Sequence, residues 1–138
     1  MKKKFLIVVA NYYDKIALDL LGGAKLALKT YRVSAVSTIT VPGVFEIPVV
    51  IARNIKKFDA FIALGCVIKG QTPHFDYICS AVTKGIMDIS IIHKKPIGYG
   101  ILTCLNKKQA LERANPKQKN LGKGGEAAEA VIKILQNT

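Results

Sequence analysis

His74 follows Gly70-Gln71-Thr72-Pro73, and this run joins an apolar, strand-like stretch to a helix-like one. Gly70, Gln71 and Thr72 can turn backbone N–H groups toward a phosphate at the helix start, with Lys69 beside them, and Pro73 suits the first helical position. His74 then falls one residue inside the helix, where the positive end of the macrodipole suits a neutral ring acting as a base. A plainer reading fits the same residues: Thr72 precedes a proline and can cap the helix with its hydroxyl. The second histidine, His93, ends the same helix beside Lys94 and Lys95, where a cap or surface role suffices.

A second junction, VPGVFEIP from Val41 to Pro48, again links a strand-like run to a helix-like run. In an open α/β sheet ligands bind in the crevice outside the carboxyl ends of the strands, so both junctions fall where a site belongs. Tyr12, Phe45 and Tyr99 stand at strand ends or turns, where an aromatic face can cover a planar heterocycle or fill a core. Glu46 can either favour the positive end of a helix or accept hydrogen bonds from a polyhydroxylated chain. Arg113, in Leu111-Glu112-Arg113-Ala114, can pair with a phosphate through its planar fork or remain a helix-end cation. Cys66, Cys79 and Cys104 are an odd number without CxxC spacing, which predicts free, mostly buried thiols. A zinc site from Cys66, His74 and Cys104 lacks a fourth ligand and a metal-ligand spacing, so no metal is expected.

Four apolar runs position these residues: Lys4 to Ala10, Ser34 to Thr40, Asp59 to Cys66 and Pro96 to Thr103. Three are apolar nearly throughout, as parallel strands covered on both faces should be. Between them, Asp14 to Lys29 carries a stripe of Ile16, Leu20, Leu21, Ala24 and Leu28, and Phe45 to Lys57 one of Ile47, Val50, Ile51 and Ile55. Phe75, Ile78, Val82, Ile86 and Ile89 repeat at three- and four-residue steps and predict a long helix. A short helix over Asn106 to Ala114, a loop over Asn115 to Gly125 and a final helix over Glu126 to Leu135 complete the chain. Strand and helix alternate, which predicts a single α/β domain over residues 1–138, a three-layer α/β/α sandwich around a four-stranded parallel sheet.

Composition excludes several classes. Half of the 138 residues are hydrophobic, enough for one substantial core, yet no uninterrupted apolar run reaches membrane-spanning length. Lys2 to Lys4 before FLIVVA mimic a signal peptide, but the apolar run is short and broken at Asn11, so a first strand and a cytoplasmic protein are expected. Twenty-one basic residues against nine acidic ones give a net charge of +12. The lysines are dispersed without interleaved aromatics, which favours a solvated surface over nucleic-acid binding, and some of the excess can attract an anionic substrate.

The two junctions closely resemble those of the lumazine synthase family, whose segments read roughly VPGAFEIP and LGTVIRGxTxHFxY. The resemblance extends to Ala10-Asn11-Tyr12-Tyr13, to the Pro96 to Thr103 strand and to Gln109-Ala110-Leu111-Glu112-Arg113-Ala114, covering nearly the whole chain. It implies a flavodoxin-like strand order. It also implies condensation of 5-amino-6-ribitylaminouracil with 3,4-dihydroxy-2-butanone 4-phosphate to 6,7-dimethyl-8-ribityllumazine, without redox cofactor or metal. By this resemblance His74 assists proton transfer and Tyr12 stacks on the pyrimidine. Val44, Phe45 and Glu46 surround the ring and ribityl chain, Val67 and Ile68 line the same pocket, and Gly70, Gln71, Thr72 and Arg113 hold the phosphate. The family's site lies between two subunits of a homopentamer, with Tyr99, Arg113 and a loop lysine from the neighbour, and riboflavin synthase is a further partner.

Departures from the family pattern are local. Asn11-Tyr12-Tyr13 replaces Arg-Phe-Asn, Lys69 replaces an arginine, and Cys66 stands where threonine is usual. NPKQKNLGKGG is about two residues longer than the familiar GTKAGNKG, so the matching lysine is Lys123 or an earlier one, Lys117 or Lys119. Lys123 keeps its spacing to Glu126-Ala127-Ala128. Many relatives also carry about ten residues before the first shared strand, which pair with a neighbouring sheet. Their absence here, with the long loop, predicts a free pentamer rather than a sixty-subunit shell. Two rivals remain: a flavodoxin-like domain, which would need a Ser/Thr-rich phosphate loop after the first strand, and a nucleic-acid-binding scaffold, suggested by charge alone.

Overall fold

Apolar runs with no polar face need cover on both sides, and the chain supplies it with helices above and below one sheet. The computed structural model describes residues 2–138. Four strands, β1 (Phe5–Ala10), β2 (Val36–Val41), β3 (Ala60–Ile68) and β4 (Ile97–Cys104), pair in parallel in the order β2-β1-β3-β4. Five helices separate or follow them: α1 (Asp14–Thr30), α2 (Ile47–Arg53), α3 (His74–His93), α4 (Lys107–Ala114) and α5 (Gly122–Asn137). This is the three-layer α/β/α sandwich with flavodoxin-like strand order.

Period-two alternation divides the core. Phe5, Ile7 and Val9 of β1 meet Ile62 and Leu64 of β3 beneath α1 and α5, while Leu6, Val8, Phe61 and Ala63 face α2 and α3. Every residue of β1 is buried, whereas β2, at the sheet edge, exposes Ser37, Thr38 and Thr40. Both patterns follow from sheet position: a central strand is covered on both faces, and an edge strand is not.

Several boundaries differ from the sequence-based expectation. Beyond shifts of one or two residues in the strands, the second helix is only Ile47–Arg53, preceded by a 3-10 turn at Val44–Glu46. Asn54 ends it early, its side-chain amide donating to the Val50 carbonyl at 2.8 Å. The helix cap expected at Thr72 moves to Pro73 (φ −71°, ψ 2°), although the Thr72 hydroxyl still accepts from the His74 N–H at 3.4 Å. The expected Asn115–Gly125 loop is shorter than anticipated. A 3-10 turn covers Lys119–Leu121, and α5 already starts at Gly122 because Gly124, Gly125, Ala127 and Ala128 are small enough to bury.

Candidate functional site

The chain leaves β1 toward β2 and returns past it to β3, so the order reverses between β1 and β3. Ligand crevices form at that switch point, outside the carboxyl ends of the strands. A cleft of about 310 Å³ lies there, lined by Tyr12 and Tyr13 after β1, Gly43, Val44 and Phe45 after β2, Cys66, Val67 and Ile68 at the end of β3, and His74 and Ile78 on α3.

Close backbone approach builds its floor. A Cβ on Gly65 would lie 2.6 Å from Val44 Cγ1 and 3.2 Å from Ala10 Cβ, so only glycine lets the Val44 turn settle on β3. The Asn11 N–H donates to the Val41 carbonyl at 3.0 Å and the Lys69 N–H to the Cys104 carbonyl at 2.9 Å, aligning the ends of neighbouring strands. Tyr12 is 76% exposed and Phe45 60% exposed, so neither is a core aromatic. Tyr12 packs edge-to-face on Tyr13, with ring centroids 5.0 Å apart. Burial pushes the Tyr13 phenol above its ordinary value, with Cys66 and Tyr12 adding to the shift. Burial, reinforced by Cys104, pushes the Cys66 thiol up to about 12, so it remains a neutral part of the wall.

Lys69, Gly70, Gln71 and Thr72 form the exposed connection between β3 and α3, between the cleft-lining Ile68 and His74. Glu46 is half-buried in the 3-10 turn beside Phe45. None of these five lines the cleft itself.

Tyr99, Arg113 and Lys123 lie elsewhere. They share a second cleft of about 660 Å³ along the edge strand β4, with Ile101, Leu102 and Thr103 of β4, Glu112 of α4, Gln118, Lys119, Gly122 and Glu126. The Tyr99 hydroxyl lies 2.9 Å from that of Thr83 on α3. Its phenol is raised by burial, a shift that the Thr83 hydrogen bond partly offsets and Cys79 reinforces. The Arg113 guanidinium donates to Cys104 Sγ at 3.8 Å. α4 is fixed by reciprocal capping: the Asn106 side chain accepts from the Gln109 N–H, and the Gln109 side chain accepts from the Leu105 N–H, both at 2.9 Å. Lys123 pairs with Glu126 at 3.3 Å.

Lys117, by contrast, lines a separate depression with Lys15, Asp19, Leu111, Asn115 and Pro116. Lys119 shares the β4 cleft with Lys123. Sequence reasoning did not single out Tyr13, Gly43, Ile78, Glu112 or Glu126 as lining residues. Alternation along β4, which sends Tyr99, Ile101 and Thr103 to one side, was the available signal for the second cleft.

Cys66 and Cys104 are buried and Cys79 is half-buried, all as free thiols. Among the described residues no group of three or more His, Cys, Asp and Glu could hold a metal ion, so Cys66, His74 and Cys104 do not make one. Among the same residues no helix is long and apolar enough to cross a membrane.

Comparison with known proteins matches these features to one family. A family model described as 6,7-dimethyl-8-ribityllumazine synthase matches residues 2–138. The protein of that name from Cutibacterium acnes is 46% identical over 132 residues, covering 96% of this chain and 80% of its own. Its namesake from an Arthrobacter species is 44% identical over 129 residues, with coverages of 94% and 80%. The Streptomyces coelicolor protein of the same name is 40% identical over 128 residues, with coverages of 91% and 79%. The chain belongs to the 6,7-dimethyl-8-ribityllumazine synthase family, transferases of riboflavin biosynthesis.

Proposed function

We propose that the protein condenses 5-amino-6-(D-ribitylamino)uracil with 3,4-dihydroxy-2-butanone 4-phosphate, giving 6,7-dimethyl-8-ribityllumazine, phosphate and water. The division of the candidate residues between two clefts of one chain carries this reading. The switch-point cleft has aromatic, apolar and histidine groups suited to a heterocycle and its proton transfers. The β4 cleft has the cations suited to a phosphate. Neither is complete alone, so we assign each active site to two adjacent subunits, with Tyr99, Arg113 and Lys123 of one facing the switch-point cleft of the next. A heterologous contact of this kind must close into a ring, and a homopentamer is the ring we propose.

Tyr12 and Phe45 offer ring faces to the pyrimidine, Val44, Val67 and Ile68 wall it, and Glu46 accepts hydrogen bonds from the ribityl chain. Lys69 and the N–H groups of Gly70, Gln71 and Thr72 face the phosphate from one side, and the Arg113 fork pairs with it from the other. The substrate amine adds to the ketone and a water is lost to give an imine. Phosphate is then eliminated, and a second attack closes the ring with loss of another water. His74 relays protons along this path as general base and acid. Holding two diffusing reactants in register contributes several kcal/mol to the rate, about 7–11 kcal/mol in the best-aligned intramolecular systems. Riboflavin synthase, which consumes the lumazine, is the proposed functional partner.

The test is to mix the purified protein with both substrates and follow the absorbance and fluorescence of the lumazine. Formation of lumazine above the uncatalysed rate is the expected outcome. A rate equal to the uncatalysed one removes the assignment.

A further inference from the structure

The β4 cleft contains a third cation, to which the proposed function gives no role. Lys119 lines it with Arg113 and Lys123, and Glu112 and Glu126 line it as well. Arg113 and Lys123 balance the two glutamates in formal charge, so Lys119 supplies the cleft's net positive charge. Its partners differ too. Lys123 is engaged by Glu126 at 3.3 Å, whereas the Lys119 ammonium has no ion-pair partner among the described residues.

The residues flanking Lys119 are hydrogen-bonded within the loop. The Lys117 N–H donates to the Asn115 side chain at 2.9 Å, the Gln118 N–H to the Asn115 carbonyl at 3.0 Å, and the Leu121 N–H to the Gln118 carbonyl at 3.0 Å. The backbone then passes through three consecutive left-handed residues, Asn120 (φ 60°), Leu121 (φ 63°) and Gly122 (φ 71°). Leucine rarely adopts this region, and surrounding structure has to impose it. At the end of the turn the backbone packs closely on Asn115: a Cβ on Gly122 would meet its carbonyl oxygen at 2.6 Å. This turn delivers Lys119 and Lys123 to one cleft while Lys117 remains outside.

We propose that Lys119 is a specificity-determining residue for the phosphate-bearing substrate. Its ammonium makes the β4 cleft attractive to a dianion that Arg113 and Lys123, offset by Glu112 and Glu126, would hold weakly. The proposal rests on reading the β4 cleft as the phosphate side of a lumazine synthase site.

The experiment measures turnover against butanone phosphate concentration, and inhibition by inorganic phosphate, for the unaltered protein and for Lys119→Gln, Lys119→Arg and Lys117→Gln. Lys119→Gln should raise KM for butanone phosphate and the inhibition constant of phosphate together, by about three- to tenfold, with kcat within about twofold. Lys119→Arg should restore both, and Lys117→Gln should match the unaltered protein. Raising the ionic strength should shrink the Lys119 effect. An unchanged KM in Lys119→Gln, or an equal rise in Lys117→Gln, overturns the proposal while leaving the family reading intact. Loss of kcat without a KM shift also overturns it. If the unaltered protein makes no lumazine, or phosphate does not compete, the reading of the cleft fails and this proposal with it.

Discussion

The hydroxyls of Thr83 and Tyr99 lie 2.9 Å apart, tying the middle of α3 to the edge strand β4 and fixing the Tyr99 ring at one end of the β4 cleft. A neutral hydrogen bond of this kind contributes about 1 kcal/mol net. Tyr99→Phe and Thr83→Val should each lower denaturant stability by about that amount, and the double variant should cost less than the sum. Turnover should survive Tyr99→Phe, because the ring face remains. Strict additivity would mean that the two hydroxyls do not meet in solution.

His74 is exposed at the first position of α3 and lines the switch-point cleft, so its imidazole is open to a reactant there. His74→Ala should slow turnover by about ten- to a hundredfold, at or below the low end for acid–base catalysis, since amine and ketone are intrinsically reactive. Substrate binding should persist. An unchanged rate would remove His74 from the mechanism, and loss of folding, read by circular dichroism, would make it structural.

Cys66 provides the pH prediction. Burial raises its thiol to about 12, above its ordinary 9.0, so the folded state binds the proton more tightly than the unfolded chain does. This contribution to stability is fully present below about pH 9 and is lost as the pH rises toward about 12. Iodoacetamide at about pH 8 should modify half-buried Cys79 first and leave Cys66 intact until denaturant is added. Rapid labelling of Cys66 in the folded protein, read by mass spectrometry, would refute the burial account.

The strands were legible because Phe5–Ala10 and Ala60–Ile68 are so uniformly apolar that only coverage on both faces explains them. The start of α5 was not. Gly122, Gly124 and Gly125 signal a loop by intrinsic propensity, yet burial of these small residues outweighs that preference. The cap at Thr72 shifted by one residue because Pro73, whose φ is already fixed, takes the position before the helix. At the candidate site, Val44, Phe45, Val67, Ile68 and His74 were readable from two contiguous motifs. Glu112 and Glu126 were not, since the cleft they line exists only once α4 and α5 pack beside β4.

The two clefts make the assembly testable. His74 lies in one and Arg113 in the other of the same chain, so a site shared between subunits joins His74 of one chain to Arg113 of its neighbour. Arg113→Ala should be more damaging than His74→Ala at low butanone phosphate, because it removes the charged partner of the phosphate. When the two variants are unfolded, mixed in equal amounts and refolded, about a quarter of the heterologous interfaces should pair an intact His74 with an intact Arg113. Turnover should then rise well above the average of the two separate variants, in a particle that light scattering sizes as a closed ring of about five chains. A mixture no faster than that average would place each site within a single chain, and an active monomer would eliminate the shared site altogether.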